Sequence, residues 1–226
     1  GQNLRDHPMI FVSWGVKPEY KQDPFAPRIQ LMLRWTAEGS HLWNDLLMFM
    51  SSFATERPER GGNRLASTGI RVHPTLNLAM SKGEMRLQST DPNAQPLLDY
   101  RYMEDPFDRQ RMREMVRLAA SLFEHPEFDP IITKRNEPTD AELADDDLLD
   151  AFIARDITTG QHTSGTCKMG PASDPLAVVD QYGKVHGLEG LRVVDSSILP
   201  DCPRANTNVT TMMIGERVAD FIKQGK

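Results

Sequence analysis

Cysteine is scarce in this chain, an excess of basic charge is missing, and no apolar run is long. Only Cys167 and Cys202 occur in 226 residues, with no C-x-x-C spacing, so neither a disulfide scaffold nor a zinc ribbon is supported. Both are read as unpaired thiols, and a reducing compartment follows as the default. Lys and Arg number 26 against 32 Asp and Glu, a net charge of −6, and no basic stripe offers a footprint for nucleic acid. The longest apolar stretches, such as Leu46 to Met50, fall far short of the roughly 20 residues that cross a bilayer, so no membrane span is expected. The first residues, Gly1 to Pro8, carry neither an initiator Met nor the basic-then-apolar layout of a signal peptide. They read as a cut end, and a cytoplasmic location is the working expectation. Repeats and low-complexity segments are missing too.

What is present can fold. A hydrophobic fraction of 39% is enough to bury a core and speaks against global disorder. The length suits one large domain, or one and a half small ones. From Met9 to about Met103 apolar runs alternate with turn residues: Met9 to Val12, Ile29 to Leu33, Leu46 to Met50, and Leu76 to Met80. These predict strands of a mostly antiparallel sheet. Ser81-Lys82-Gly83 between Leu78–Met80 and Glu84–Leu87 predicts a hairpin, and the polar, glycine-bearing stretch between Thr55 and Thr68 an exposed loop. One helix is predicted from Asp105-Pro106 to about His125-Pro126, with Met112, Met115, Val116, Ala119, Leu122 and Phe123 at helical spacing. A second opens on the capping-box pair Thr139 and Glu142, carries the acidic run Asp145 to Asp147 as a solvated face, and buries Leu149, Phe152 and Ile153. After Gly160, small and polar residues dominate up to Pro203, broken by Val178-Val179 and by a short strand at Leu191–Val194. A last helix is predicted from about Asn208 to Lys223, with Met213, Val218 through Ile214, Phe221 and Ile222 as its stripe.

Three segments could carry chemistry. His162 enters a turn of small residues running through Gly165 to Gly170, where a ligand can approach the backbone. Read alone, it is as well explained by a histidine bonded to its own loop. Zinc on His162 and Cys167 fails for want of two more ligands, and no metal is expected. Pro203 to Thr211 feeds the final helix with cap-competent residues, an ordinary N-cap or a ligand-facing helix end. Leu191 to Pro200 places Asp195 and two serines at the carboxyl end of a short apolar run, where α/β sheets often bind cofactors.

Taken in order, these segments resemble the C-terminal signature of the glucose-methanol-choline (GMC) flavoprotein oxidoreductases. Gly1 to His7 is similar to the family's G-x-N-L-x-D-H, and Ser81 to Pro96 to its S-x-G-x-x-x-L-x-S-x-D-P-x-x-x-P. His162 to Gly170 is similar to H-x-x-G-T-x-x-M-G, Leu191 to Pro200 to L-R-V-x-D-x-S-x-x-P, and Asn206 to Arg217 to N-x-N-x-x-T-x-M-I-x-E-[KR]. The wording is nearest to the choline-dehydrogenase-like members. The resemblance implies an α+β fold, a mostly antiparallel sheet covered by helices, with a C-terminal strand and helix that would complete a Rossmann-like FAD domain. It implies FAD as cofactor, a small-molecule alcohol as substrate, and hydride transfer from that alcohol to the flavin. His162 would be the active-site base and Asn208 its hydrogen-bonding partner. Asp195 and Ser196 would lie near the ribityl and phosphate chain, and Asn208, Val209 and Thr210 at the flavin itself.

The family's G-x-G-x-x-G grip on the dinucleotide is missing from these residues. The expected organisation is therefore a linker at residues 1–8, a substrate-binding domain at 9–160, and an active-site loop with the return to the FAD domain at 161–226. The N-terminal FAD-binding half would be the partner of this chain, and alone it should hold FAD weakly. The competing expectation is a non-catalytic fragment or a relative acting as a binding or lyase module. A trimethylammonium substrate would call for an aromatic cage, for which Trp14, Trp35, Trp43 and Tyr102 are the candidates. Choline is not asserted, and the electron acceptor leaves no mark. His7, His41, His73, His125 and His186 are read as ordinary structural histidines.

Overall fold

A computed structural model describes residues 1–20, 25, 27–54 and 69–226. The stretch between Thr55 and Thr68, expected as a loop, lies outside the described residues. The strands are β1 (Gln2–Leu4), β2 (Pro8–Met9), β3 (Val12–Val16), β4 (Ile29–Trp35), β5 (Leu46–Ala54), β6 (Gly69–Leu76), β7 (Gly83–Arg86), β8 (Leu97–Asp99), β9 (Ile132–Glu137) and β10 (Thr158–Thr159). The helices are α1 (Pro106–Leu122), α2 (Asp140–Ala144), α3 (Asp146–Asp156) and α4 (Asn208–Lys223). The fold is α+β with antiparallel sheets, as expected. None of these helices is long and apolar enough to cross a membrane. The chain divides into two units, one made of Met9–Leu76 and Pro106–Thr158, the other of Gly1–Pro8, Asn77–Asp105 and Thr159–Lys226.

The first unit is a sheet with helices laid on it. Its strands run in the spatial order β4-β5-β6-β3-β9, each neighbouring pair antiparallel. Val12 faces Val72 and Leu46 faces Leu76, so buried apolar side chains meet across the ladder. The predicted stripe of α1 is there: Met112, Met115, Val116 and Ala119 are fully buried against the sheet, and Trp14 of β3 stacks on Phe123 at 4.1 Å. β4, paired among the described residues with β5 alone, is exposed along its whole length.

One buried charge cluster joins α1 to the turn before β5. The Arg111 guanidinium donates to Asp45 Oδ2 at 2.8 Å and to Asp108 Oδ1 at 2.6 Å, and all three side chains are fully buried. Asp45 also accepts from the Ala37 backbone N–H and the Ser40 hydroxyl. Every charge therefore has partners, which a low-dielectric position requires.

The second predicted helix is two. The capping box at Thr139 and Glu142 starts α2 as expected, but Asp145 has extended backbone, φ −125° and ψ 129°, and ends it. Its carboxylate then accepts from the Leu148 N–H and caps α3. The acidic run is more than a solvated face, because Asp146 and Asp150 pair with Arg113, and Asp146 also with Arg117, on α1. Leu149, Phe152 and Ile153 are buried as predicted.

In the second unit the expected hairpin is replaced. β7 pairs with β1 on one side and β8 on the other, and Leu78–Met80 joins no strand. The reason is Arg5, whose guanidinium takes the carbonyls of Ala79 at 2.8 Å, Met80 at 3.2 Å and Ser81 at 3.4 Å. Those acceptors are thus unavailable to a ladder.

The last third builds a small core of Val179, Ile198, Ile214 and Val218, with Val193 and Phe221 against it. Leu191–Val194 is not a ladder strand as expected. It makes one bridge, Lys184 to Arg192, before Asp195 opens a single 3-10 turn at Ser196–Ile198. α4 covers the predicted span, and Ile214 and Val218 of the predicted stripe are seated, whereas Met213 and Ile222 are 55% and 57% exposed.

Candidate active site

The first seven residues are the scaffold of the His162 loop. Arg5 and Ser164 exchange both backbone hydrogen bonds at 2.9 Å, and the Asn3 amide donates to the carbonyls of Gly165 and Pro200. On its other side the loop hangs on the 3-10 turn: the N–H groups of Cys167 and Met169 donate to the carbonyls of Ser197 and Ile198. Gly165 sits between these supports at φ +83°, where an added Cβ would lie 2.5 Å from the Asn3 carbonyl oxygen. Gly165→Ala should therefore cost more than about 1 kcal/mol, through both backbone strain and collision, measured as a lower denaturant midpoint.

Asp6 ties the loop to its support. Its Oδ1 accepts the backbone N–H of His7 at 2.8 Å and of His162 at 2.9 Å, and its Oδ2 accepts the Tyr102 hydroxyl at 2.6 Å. Burial, with the Asp6 charge beside it, pushes the Tyr102 phenol far above its ordinary range, so it stays a donor. The His162 ring is half-buried and touches two side chains. Its Nδ1 lies 3.0 Å from Nδ1 of His7, and its Nε2 lies 3.1 Å from Nδ2 of Asn206. Burial lowers the His162 pKa, opposed by the Asp6 carboxylate. The ring is therefore a neutral acceptor at physiological pH, with one nitrogen turned toward an exposed carboxamide.

The carboxamide at His162 thus belongs to Asn206, two residues before the expected Asn208. Asn208 is the first residue of α4 and is exposed, and no hydrogen bond joins it to His162 among the described residues. Asn206 lies in the loop before the helix, with its amide over the imidazole. Asp195 and Ser196 are occupied locally: Asp195 accepts from the Ser197 N–H at 2.8 Å, and the Ser196 hydroxyl donates to the Thr163 carbonyl at 2.9 Å. At α4, Thr207 makes no side-chain cap, so the N–H groups of Asn208, Val209 and Thr210 lack one, and Val209 is 71% exposed.

His7, read from sequence as an ordinary histidine, is in direct contact with the candidate base. Its place in the D-H pair of the first motif was the available signal, and so was the first Asn of N-x-N for Asn206. The cysteines are free, and burial raises the Cys202 thiol to about 12, which makes it inert. The aromatic candidates for a cage have other partners: Trp14 stacks on Phe123, Trp35 donates to Glu114, and Tyr102 stacks on Tyr100.

Oxygen-dependent choline dehydrogenase of Cronobacter sakazakii is 39% identical over 243 residues, which take in 99% of this chain and 43% of that protein. The enzyme of the same name from Rhizobium etli is 40% identical over 156 residues, 69% of this chain and 28% of its own length. The chain thus spans less than half of these curated relatives. Among solved structures, formate oxidase superposes with a TM-score of 0.83 at 22% identity, over all of this chain and 47% of that one. Pyridoxine 4-oxidase from Mesorbium loti superposes with a TM-score of 0.80 at 21% identity, over 99% of this chain and 43% of its own. These two likenesses establish the fold. Residues 79–215, more than half of the chain, match the GMC oxidoreductase family, and the chain belongs to that family.

Proposed function

We propose that the protein carrying this chain oxidises a small alcohol to an aldehyde or ketone, with His162 as general base and Asn206 as its hydrogen-bonding partner. The observation that carries the reading is the His162 Nε2 to Asn206 Nδ2 approach of 3.1 Å. An acceptor and a donor this close can flank one oxygen. The hydroxyl proton would pass to Nε2, while the carboxamide N–H holds the oxygen as negative charge develops on it.

FAD fits the residues present. The uncapped start of α4 offers backbone N–H groups and the positive end of a helix dipole to a group that gains negative charge on reduction. Asn208, Val209 and Thr210 would hold it there, with Asp195 and Ser196 shaping the turn nearby. When bound, FAD would supply the hydride acceptor. Relatives named for choline oxidation support a small alcohol as substrate. Residues 9–160 are proposed as the substrate-binding part and 161–226 as the active-site loop and return to the flavin domain.

The test is anaerobic mixing of the flavin-loaded protein with a panel of primary and secondary alcohols, following loss of the oxidised flavin absorbance. Bleaching by at least one alcohol is expected. A protein that binds flavin and is reduced by none of them would refute the reading. Asn206→Ala should slow reduction about 100-fold, whereas Asn208→Ala should change it far less. The reverse order would return the partner role to Asn208.

A further inference from the structure

The His7 imidazole is 1% exposed and both of its ring nitrogens are engaged, Nε2 with the Pro203 carbonyl oxygen at 2.7 Å and Nδ1 with His162 Nδ1 at 3.0 Å. A carbonyl oxygen can only accept. In the neutral ring the hydrogen therefore sits on His7 Nε2, and His7 Nδ1 is bare. Two facing Nδ1 atoms need one hydrogen between them, and His7 has none to give there. The hydrogen belongs to His162, whose Nδ1–H donates to His7. That leaves the lone pair of His162 on Nε2, the nitrogen that faces Asn206.

We propose that His7 is a positioning residue that holds the His162 hydrogen on Nδ1 and so keeps the Nε2 lone pair, which faces the Asn206 carboxamide, as the acceptor for the alcohol proton. The proposal rests on the reading of His162 as the base. Without the chain from Pro203 through His7, the His162 ring could adopt the other tautomer, with its hydrogen on Nε2 and its lone pair turned away from the hydroxyl. In the proton step the O–H bond breaks, its electron pair stays on oxygen, and an Nε2–H bond forms. The resulting imidazolium keeps its Nδ1–H on the His7 lone pair, now as a charge-assisted hydrogen bond.

The proton stops at His162. Burial first, and the neighbouring His162 second, lower the His7 pKa to about 4, so His7 is a poor destination for it. The charges of Asp6 and Asp201 oppose that lowering at His7, and Asp6 does so at His162, but neither carboxylate bonds a ring. Asp6 accepts both backbone N–H groups, the Cys202 thiol lies 3.5 Å from the His162 carbonyl, and Asp201 is paired with Arg5. No carboxylate among the described residues hydrogen-bonds an imidazole nitrogen of either ring, so the tautomer is set by the histidine pair together with the Asn206 Nδ2 donor, which also calls for a bare Nε2.

The first measurement needs no variant. In the flavin-loaded protein labelled with 15N-histidine, long-range proton–nitrogen correlations should show His162 protonated at Nδ1 and bare at Nε2, and His7 the opposite. A His162 ring protonated at Nε2, or an even mixture, overturns the proposal. The second is kinetic. His7→Leu should slow flavin reduction about 10- to 100-fold with KM nearly unchanged, and its acid limb should move to lower pH, because the imidazolium has lost an acceptor. His7→Asn, whose side-chain oxygen can accept from Nδ1–H, should recover most of the rate. If His162→Ala abolishes reduction while His7→Leu leaves rate and pH profile intact, the positioning role falls and the base reading stands. If His162→Ala leaves reduction intact, the base reading falls and the proposal with it.

Discussion

His162→Ala is expected to lower the rate of flavin reduction by alcohol about 10²- to 10⁴-fold while FAD stays bound. The substitution removes the acceptor for the hydroxyl proton and leaves the α4 terminus, proposed to hold the flavin, untouched. Loss of rate with an unchanged flavin spectrum therefore separates the base from the cofactor site. In the unsubstituted protein the reaction needs neutral His162. Since burial lowers its pKa below the ordinary histidine value, activity should rise with pH along a limb centred below 6.5 and be level above it. A limb centred well above 6.5 would mean that another group supplies the base. Stopped-flow reduction across that pH range reads both results.

Arg111→Met is expected to destabilise the sheet unit by about 3–5 kcal/mol, because it leaves the Asp45 and Asp108 carboxylates buried without their cation. The two acids already hold other bonds, but a carboxylate in the interior needs its countercharge more than it needs a further N–H. The effect should shrink if both acids are replaced together with Arg111 by neutral residues of similar volume, since the buried charge then disappears rather than losing its partner. Denaturant unfolding of the single and triple variants tests this. A single variant within about 1 kcal/mol of the parent would show that water or a shifted side chain reaches the cluster.

Period and punctuation made much of this architecture readable. The α1 stripe, the capping box at Thr139 and the span of α4 were all legible, because each rests on spacing within a few residues. What failed depended on distant partners. The hairpin at Ser81-Lys82-Gly83 has suitable turn residues, yet Arg5, 74 residues or more away, claims the carbonyls it would need. α3 begins anew because the Asp145 side chain competes with the helix for its own backbone, a choice that composition alone reads as a charged face. At the site, motif resemblance pointed to His162 and the N-x-N segment, but local spacing does not show that Asn206 is the asparagine whose amide lies 3.1 Å from the His162 ring. His7 was dismissed because nothing in its neighbourhood along the sequence shows the ring that faces it, 155 residues on.

The interleaving of Gly1–Pro8, Asn77–Asp105 and Thr159–Lys226 in one unit also fixes a sequence of events at the ribosome. Asn3, Arg5 and His7 emerge well before their partners and wait until the segment near Pro203 has been synthesised. The sheet unit, whose segments end at Thr158, can form meanwhile, so the His162 loop gains its support only after that unit's residues have all been made.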